Sequence, residues 1–404
     1  MGEDRKEAQF RKMTGERIPG LILSLAVPTI ISMIVTAIYN TADTYFVSKL
    51  GTSASGAVGI VMSLMGLIQS LGFMIGMGSG SWMSRLLGEK KDETASKVAA
   101  SGFYFSLVLG LLVAVMGCCF LDSLVGLLGA TETIRPYARE YAQYILYASP
   151  FLIASFTMNK MLCAEGKARF AMIGIASGGV LNMFLDPIFI FGLKLGIAGA
   201  AIATGLSQIV GFCILLYMFV SGRTIADLRW KNASRRYRYG TSGFDDRLPL
   251  LSLRGLASVA TIALNWMAAG YGDAAVSAMA IVSKVFMLIF SVLIGFGQGY
   301  QPVAGYNYGA KRYDRVREAF LFMSVSATVF MAICAVPGYL AAPHLIRLFI
   351  GNDADVVRIG TQALRFQCLT MALLPLNICC NMTFQTIGRT GLATFLSTAR
   401  QGYV

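Results

Sequence analysis

LAVPTIISMIVTAIYNTADTYFVSKLG, residues 25–51, carries one acid, Asp43, and one base, Lys49, along its whole length. A helix that crosses a bilayer needs about 20 mostly apolar residues, and the apolar run around this stretch, 18–48, exceeds that without a break. Comparable runs follow at about 55–79, 98–120, 138–160, 168–193 and 197–220. They resume at about 248–270, 274–299, 317–341 and 361–384, and a last one begins near Gly391. Of the 404 residues 56% are apolar and 14% charged, against roughly 25% charged in soluble proteins. This composition excludes a soluble enzyme of two or three domains. The predicted fold class is all-α, a polytopic membrane protein. Pro28 inside the first run removes a backbone hydrogen bond and predicts a bend there.

The formal charge of +13 raises the question of nucleic acid. The bases sit in short loops between apolar runs, which is the pattern of membrane orientation, so no nucleic-acid partner is expected. With the N-terminus placed inside, the inner loops hold 23 Lys and Arg and the outer loops 6. That asymmetry predicts a cytoplasmic N-terminus in a multi-pass protein. Residues 1–16 are too polar for a cleavable leader. The chain divides into a cytoplasmic segment 1–16, a first lobe 17–220 with helices 1–6, a basic cytoplasmic linker 221–247 and a second lobe 248–404.

The two halves repeat each other. Gly129, Asn159 and Gly166 recur 222 residues later as Gly351, Asn381 and Gly388. Gly76, Gly78 and Gly80 recur as Gly295, Gly297 and Gly299, and Pro28 finds a weaker counterpart in Pro249. Two six-helix repeats in the same orientation imply two lobes about an axis along the membrane normal, with substrate between them. By this register Val404 corresponds to Asn182. The second lobe is therefore expected to lack most of helix 11 and all of helix 12, as in a truncated chain.

Asp43 lies in the first run and Asp186 in the fifth. A charge at mid-membrane is costly and is functional by default. Asn40 and Asn182 precede the two aspartates by one helical turn, on the same faces. Pro187 cannot donate to the carbonyl of Met183 and so frees it. Two carboxylates, two amides and a free carbonyl predict a water-lined proton or cation pocket; the plainer alternative is neutral aspartates acting as helix glue. No metal site is expected, because His344 is the only histidine and the eight cysteines show no ligand spacing. No nucleophile–base pair or phosphate loop points to an enzyme, and no organic cofactor is expected. Gln69, Gln298, Gln301 and Asn307 are candidates for a substrate cleft between the lobes. Twenty-one methionines suit a surface that accommodates varied apolar cations.

Three blocks, 25–51, NMFLDPIFIFGLKLGIAGAAIAT (182–204) and GFGQGYQPVAGYNYGAKRYDRVREA (295–319), stand in an order that resembles the MATE (multidrug and toxic compound extrusion) family. They are similar to its bacterial multidrug-efflux branch. The resemblance implies an antiporter in the bacterial plasma (inner) membrane. It would export small amphipathic organic cations in exchange for H+ or Na+, by rocking of two lobes. It also implies a coupling site at Asp43, Asn182 and Asp186, with Thr204 as a further polar position, and a first helix that bends at Pro28 on protonation. Helices 7 and 10 hold none of the acids of sodium-coupled relatives, which argues against a sodium site in the second lobe. It favours coupling through Asp43 and Asp186, with the proton preferred and sodium in the first lobe as the alternative. Apart from membrane lipid no partner is expected, and the chain is read as a monomer.

Two alternatives stand beside this reading. A lipid or polysaccharide flippase of the same superfamily would show a more cationic cleft, whereas few bases fall in the runs. An inactive truncated fragment is the other. Residues 233–254 match the family poorly and read as two compensating frame shifts; Arg254 falls inside the expected helix 7.

Overall fold

Glu3 and Asp4 in its first turn and Lys12 in its last match the helix dipole, and Gly2–Gly15 forms a helix, α1, where the sequence promised only a polar segment. The computed structural model describes residues 2–130, 132–232, 273–350, 354–371 and 373–402. The seventh run with Pro249 and Arg254, the poorly matching stretch 233–254, Gly351 and Val404 lie outside the described residues.

The long helices follow the apolar runs. They are α2 (Ile18–Ser48), α3 (Thr52–Gly88), α4 (Asp92–Cys119), α6 (Arg135–Ala164), α7 (Ala168–Pro187) and α8 (Gly196–Val220) in the first half. A short helix, α5 (Leu121–Leu127), lies between α4 and α6. In the second half come α9 (Asp273–Gly309), α10 (Tyr313–Leu340), the short α11 (Ala342–Ile350), α12 (Ala354–Thr370), α13 (Leu374–Ile387) and α14 (Thr390–Gly402). Seven of the described helices are long and apolar enough to cross a membrane, and eight spans result if α12 and α13 count as one. This is a multi-pass all-α membrane protein. Side chains such as Leu111, Leu112, Val115 and Met116 on α4 point outward, as a lipid-facing surface requires.

One helix departs from expectation. The tenth run, read as one helix over 361–384, is broken: α12 and α13 meet at 54°. Pro375 in the first turn of α13 has no N–H for the carbonyl of Met371, so the break falls just before it. α2 is assigned as one helix from Ile18 to Ser48, with Pro28 inside it. α7 stops at Pro187 and widens into a π turn over Ile188–Gly192.

The internal repeat is visible in hydrogen bonds. The Asn159 amide donates to the carbonyl of Ala171 at 2.9 Å, and that of Asn381, 222 positions later, donates to Ala393 at 2.7 Å. The turns they close carry Gly166 and Gly388, with φ of +76° and +82°, where a side chain would be strained. The halves also meet reciprocally. A Cβ on Gly88 would collide with the carbonyl of Tyr306, and one on Gly309 with the carbonyl of Arg85. Each pair is the other displaced by 221, so a pseudo-twofold axis runs between α3 and α9 at this end.

That end carries the basic loops, and there the halves share one apolar core containing Leu21, Met83, Met161, Tyr300, Val303 and Met382. At the other end a separate core, with Val61, Ile68, Tyr141 and Ile145, belongs to the first half alone. α1 lies across the closed end. Its Glu7 pairs with Lys90 at 3.0 Å and its Lys6 with Asp92 at 3.3 Å, both in the first half. The hydrogen bond from Lys90 holds the Glu7 carboxyl below its ordinary range. From the second half, Asn307 donates to the carbonyl of Met13 at 3.0 Å and Arg312 to that of Thr14 at 2.7 Å. We predict that Asn307→Ala, which strands the buried carbonyl of Met13 at a cost of about 1–3 kcal/mol, speeds amide hydrogen exchange across α1 while exchange in α7 stays unchanged.

Glu165 closes the first half at the same end. It is fully buried, accepts the N–H groups of Ile225 and Ala226 at 2.9 and 2.8 Å, and pairs with Lys167 at 2.9 Å. The chain after α8 is thereby tied under the α6–α7 turn. Glu165→Ala strands both N–H groups and is expected to lower the melting temperature of the purified protein through a loss of about 2–4 kcal/mol.

Candidate functional site

Small residues bring three helices of the first half together. A Cβ on Gly178 would lie 3.0 Å from the carbonyl oxygen of Ser207, and one on Gly211 equally close to that of Gly174, so α7 and α8 touch backbone to backbone. Gly179 leaves room for the ring of Tyr39 on α2. Asp43 of α2 and Asp186 of α7 are thereby buried, 4% and 0% exposed. Asn182 donates to Asp186 Oδ1 at 2.9 Å and to Thr204 Oγ1 of α8 at 3.3 Å. Tyr141 of α6 donates to Asp43 Oδ2 at 3.3 Å.

The donors do not suffice. Asp43 Oδ1, Asp186 Oδ2 and Asn182 Oδ1 are buried without a hydrogen-bond partner. An unsatisfied buried acceptor costs about 1–3 kcal/mol, and more if it is charged. A proton on a carboxyl group supplies a missing donor, and a small cation supplies positive charge to the same oxygens. The arrangement can therefore bind one or the other. Asn40, one turn from Asp43, is half-buried and its side chain makes no hydrogen bond among the described residues. Tyr141 escaped the sequence reading because an aromatic in an apolar run carries no sign of its partner.

The expected cleft residues separate. Gln298 and Gln301 on α9 line a cavity of about 20 Å³ between the halves, together with Gly76, Ser81 and Ser84 of α3 and Lys160 of α6. Gln69 is half-buried on α3. Asn307 lies apart from them: it is fully buried under α1, accepts from Arg315 at 3.0 Å and holds α1 down. Its polar character serves that contact. Lys160, 4% exposed, is the base that the composition left unplaced. It donates to Gln298 Oε1 at 2.6 Å, across the boundary between the halves.

A family model described as MatE matches residues 28–188 and 251–403. The multidrug export protein MepA of Staphylococcus haemolyticus is 26% identical over 381 residues, covering 94% of this chain and 84% of that protein. MepA of Staphylococcus saprophyticus is 27% identical over 357 residues, covering 88% and 78%. Among solved structures, an outward-facing multidrug resistance MATE family transporter of the MOP superfamily superposes with a TM-score of 0.91 at 28% identity, over 97% of this chain and 88% of that one. A MATE in the bent conformation gives 0.89 at 28% identity, over 97% and 87%.

Proposed function

Because this chain belongs to the MatE family, we propose that it is a multidrug efflux transporter. In this reading it exports amphipathic organic cations in exchange for protons taken up at Asp43 and Asp186. The observation that carries the coupling site is the set of three unpartnered acceptor oxygens on Asp43, Asp186 and Asn182, buried where four helices of the first half meet. A site that lacks donors in its empty state gains stability from each proton or cation it binds, and that gain can be linked to lobe movement.

The basic-loop end is the cytoplasmic one by the positive-inside rule, so the arrangement described is sealed toward the cytoplasm. Export then needs the seal between α3 and α9 to part, drug to enter between the lobes, and the seal to re-form. The protein sits in the bacterial plasma membrane as a monomer, since each chain holds both lobes and its own coupling site.

The test is transport by purified protein in liposomes, following ethidium as the organic cation under an imposed proton gradient and, separately, a sodium gradient. Ethidium movement driven by protons supports the reading. Movement with sodium alone reassigns the same oxygens to sodium, and no movement under either gradient overturns the proposal.

A further inference from the structure

A larger cavity, of about 280 Å³, lies beneath α1 at the basic-loop end. Glu3, Glu7 and Phe10 line it from α1, Lys90 and Asp92 from the first half, and Tyr306 from α9 of the second. Its charges do not balance. Lys90 is held by Glu7 at 3.0 Å and lies 4.5 Å from the centre of the Phe10 ring. Lys6, which also lines the cavity, is held by Asp92 at 3.3 Å. Glu3 is left as a third carboxylate, exposed and without a counter-ion among the described residues.

Tyr306 points to the same missing group. It is 1% exposed, and its hydroxyl is buried with no hydrogen-bond partner, a state that native structures rarely leave unfilled. The charged groups that act on this hydroxyl are Glu165 and Asp92, both acids. In such a field the partner that suits the hydroxyl oxygen is a positively charged N–H donor, and an anion is repelled. Leu87 and Ile225 complete the wall beside Phe10, so a short apolar body on the same molecule finds apolar contacts.

The cavity exists as one space only while the halves stand together. The carbonyl of Tyr306 packs on Gly88 in the seal. Parting of the halves carries Tyr306 away with α9, while Lys90 and Asp92 stay with the first half. A molecule in the cavity touches α1 and both halves in the sealed arrangement alone, and its binding therefore favours that arrangement.

We propose that this cavity is a regulatory site for a small organic ammonium ion with an apolar body, and that its occupant holds the transporter sealed and slows export. The ammonium donates to Tyr306 Oη and supplies the positive charge that Glu3 leaves unmatched. The site is separate from the Asp43–Asp186 cluster. Its binding chemistry stands on its own geometry, and its effect on export rests on the transport reading above.

Phenethylamine is the probe, with 2-phenylethanol and phenylacetate as neutral and anionic counterparts. Binding to detergent-purified full-length protein is read by isothermal titration calorimetry and by amide hydrogen exchange in α1. The amine is expected to bind and to slow exchange across α1. The alcohol and the acid should bind at least about ten-fold more weakly, as the loss of one charge-assisted hydrogen bond predicts. Tyr306→Phe is expected to weaken amine binding by a similar factor without lowering the melting temperature, because the hydroxyl it removes has no partner to lose. Glu3→Gln, at an exposed carboxylate, should have a smaller effect in the same direction. In proteoliposomes the amine should slow ethidium export by the wild type more than by Tyr306→Phe, whereas a competitor at a drug site between the lobes slows both alike.

No binding of the amine, equal binding of the alcohol or the acid, unchanged exchange in α1, or an affinity unmoved by Tyr306→Phe overturns the site. Export slowed equally in both proteins, or not slowed at all, overturns its regulatory role. Selective, Tyr306-dependent binding in a protein that exports no ethidium upholds the site and overturns the export reading, and the regulation with it.

Discussion

Asp186→Asn is expected to reduce gradient-driven ethidium export to the level of empty liposomes while the purified protein melts at or above the wild-type temperature. Both effects have their cause in the same geometry. Asparagine keeps the shape of the side chain, and its carbonyl can still accept from Asn182, which donates to Asp186 Oδ1 at 2.9 Å. Its amide places a donor where Asp186 Oδ2 has no partner. The variant therefore imitates the protonated site permanently, and a site that cannot release its proton cannot couple export to a gradient. Replacing a buried carboxylate by a neutral amide removes the cost of burying its charge, which offsets any loss elsewhere. Asp43→Asn should behave alike, its Tyr141 contact surviving at the other oxygen. Wild-type rates in Asp186→Asn would remove this residue from the coupling path; a collapsed melting temperature would mark it as structural.

Gly309→Val is expected to abolish transport by another route, leaving binding of drug intact. A Cβ there meets the carbonyl of Arg85, which is backbone and cannot turn aside. The clash recurs across the pseudo-twofold at Gly88 and Tyr306, so Gly88→Val should give the same phenotype. Neither substitution disturbs a helix on its own, because both glycines sit in the last turns of their helices. What fails is the meeting of the halves, and the protein is held open at the basic-loop end. Ser84 of α3, 1% exposed in the sealed arrangement, provides the readout. A cysteine placed there should react with an impermeant maleimide slowly in the parent and at least several-fold faster in Gly309→Val. Equal labelling rates would show that the seal tolerates the extra carbon atoms.

Much of this was legible in the sequence, for physical reasons. Hydrocarbon demands long uninterrupted helices, so the run at 18–48 and helix α2 have the same limits. Expensive buried charge stands out against such a background, which is why Asp43 and Asp186 could be singled out and are found in one cluster with Asn182 and Thr204. The repeat at 222 residues was readable because glycine and asparagine are needed at one kind of turn, and that turn occurs in both halves. Partnerships across helices were not readable. Tyr141 and Lys160 resemble an ordinary aromatic and an ordinary run-end base until α2 and α9 are set beside them. Asn307 looked like a cleft residue because nothing marked α1 as a helix that would come to lie over it. The break between α12 and α13 was hidden because apolar residues continue through it.

The contacts of α1 differ in kind on its two sides. Toward the second half they are bonds from Asn307 and Arg312 to the main-chain carbonyls of Met13 and Thr14, the first of them fully buried. Toward the first half they include the exposed ion pairs Glu7–Lys90 and Lys6–Asp92. Mobile ions screen exposed pairs and leave buried bonds nearly untouched. Rising ionic strength therefore weakens the two ion pairs to the first half, while the neutral bonds from Gln9 to the carbonyl of Glu165 and from Asn307 to that of Met13 persist. The rate at which the basic-loop end opens is expected to acquire a salt dependence that the affinity for drug does not share.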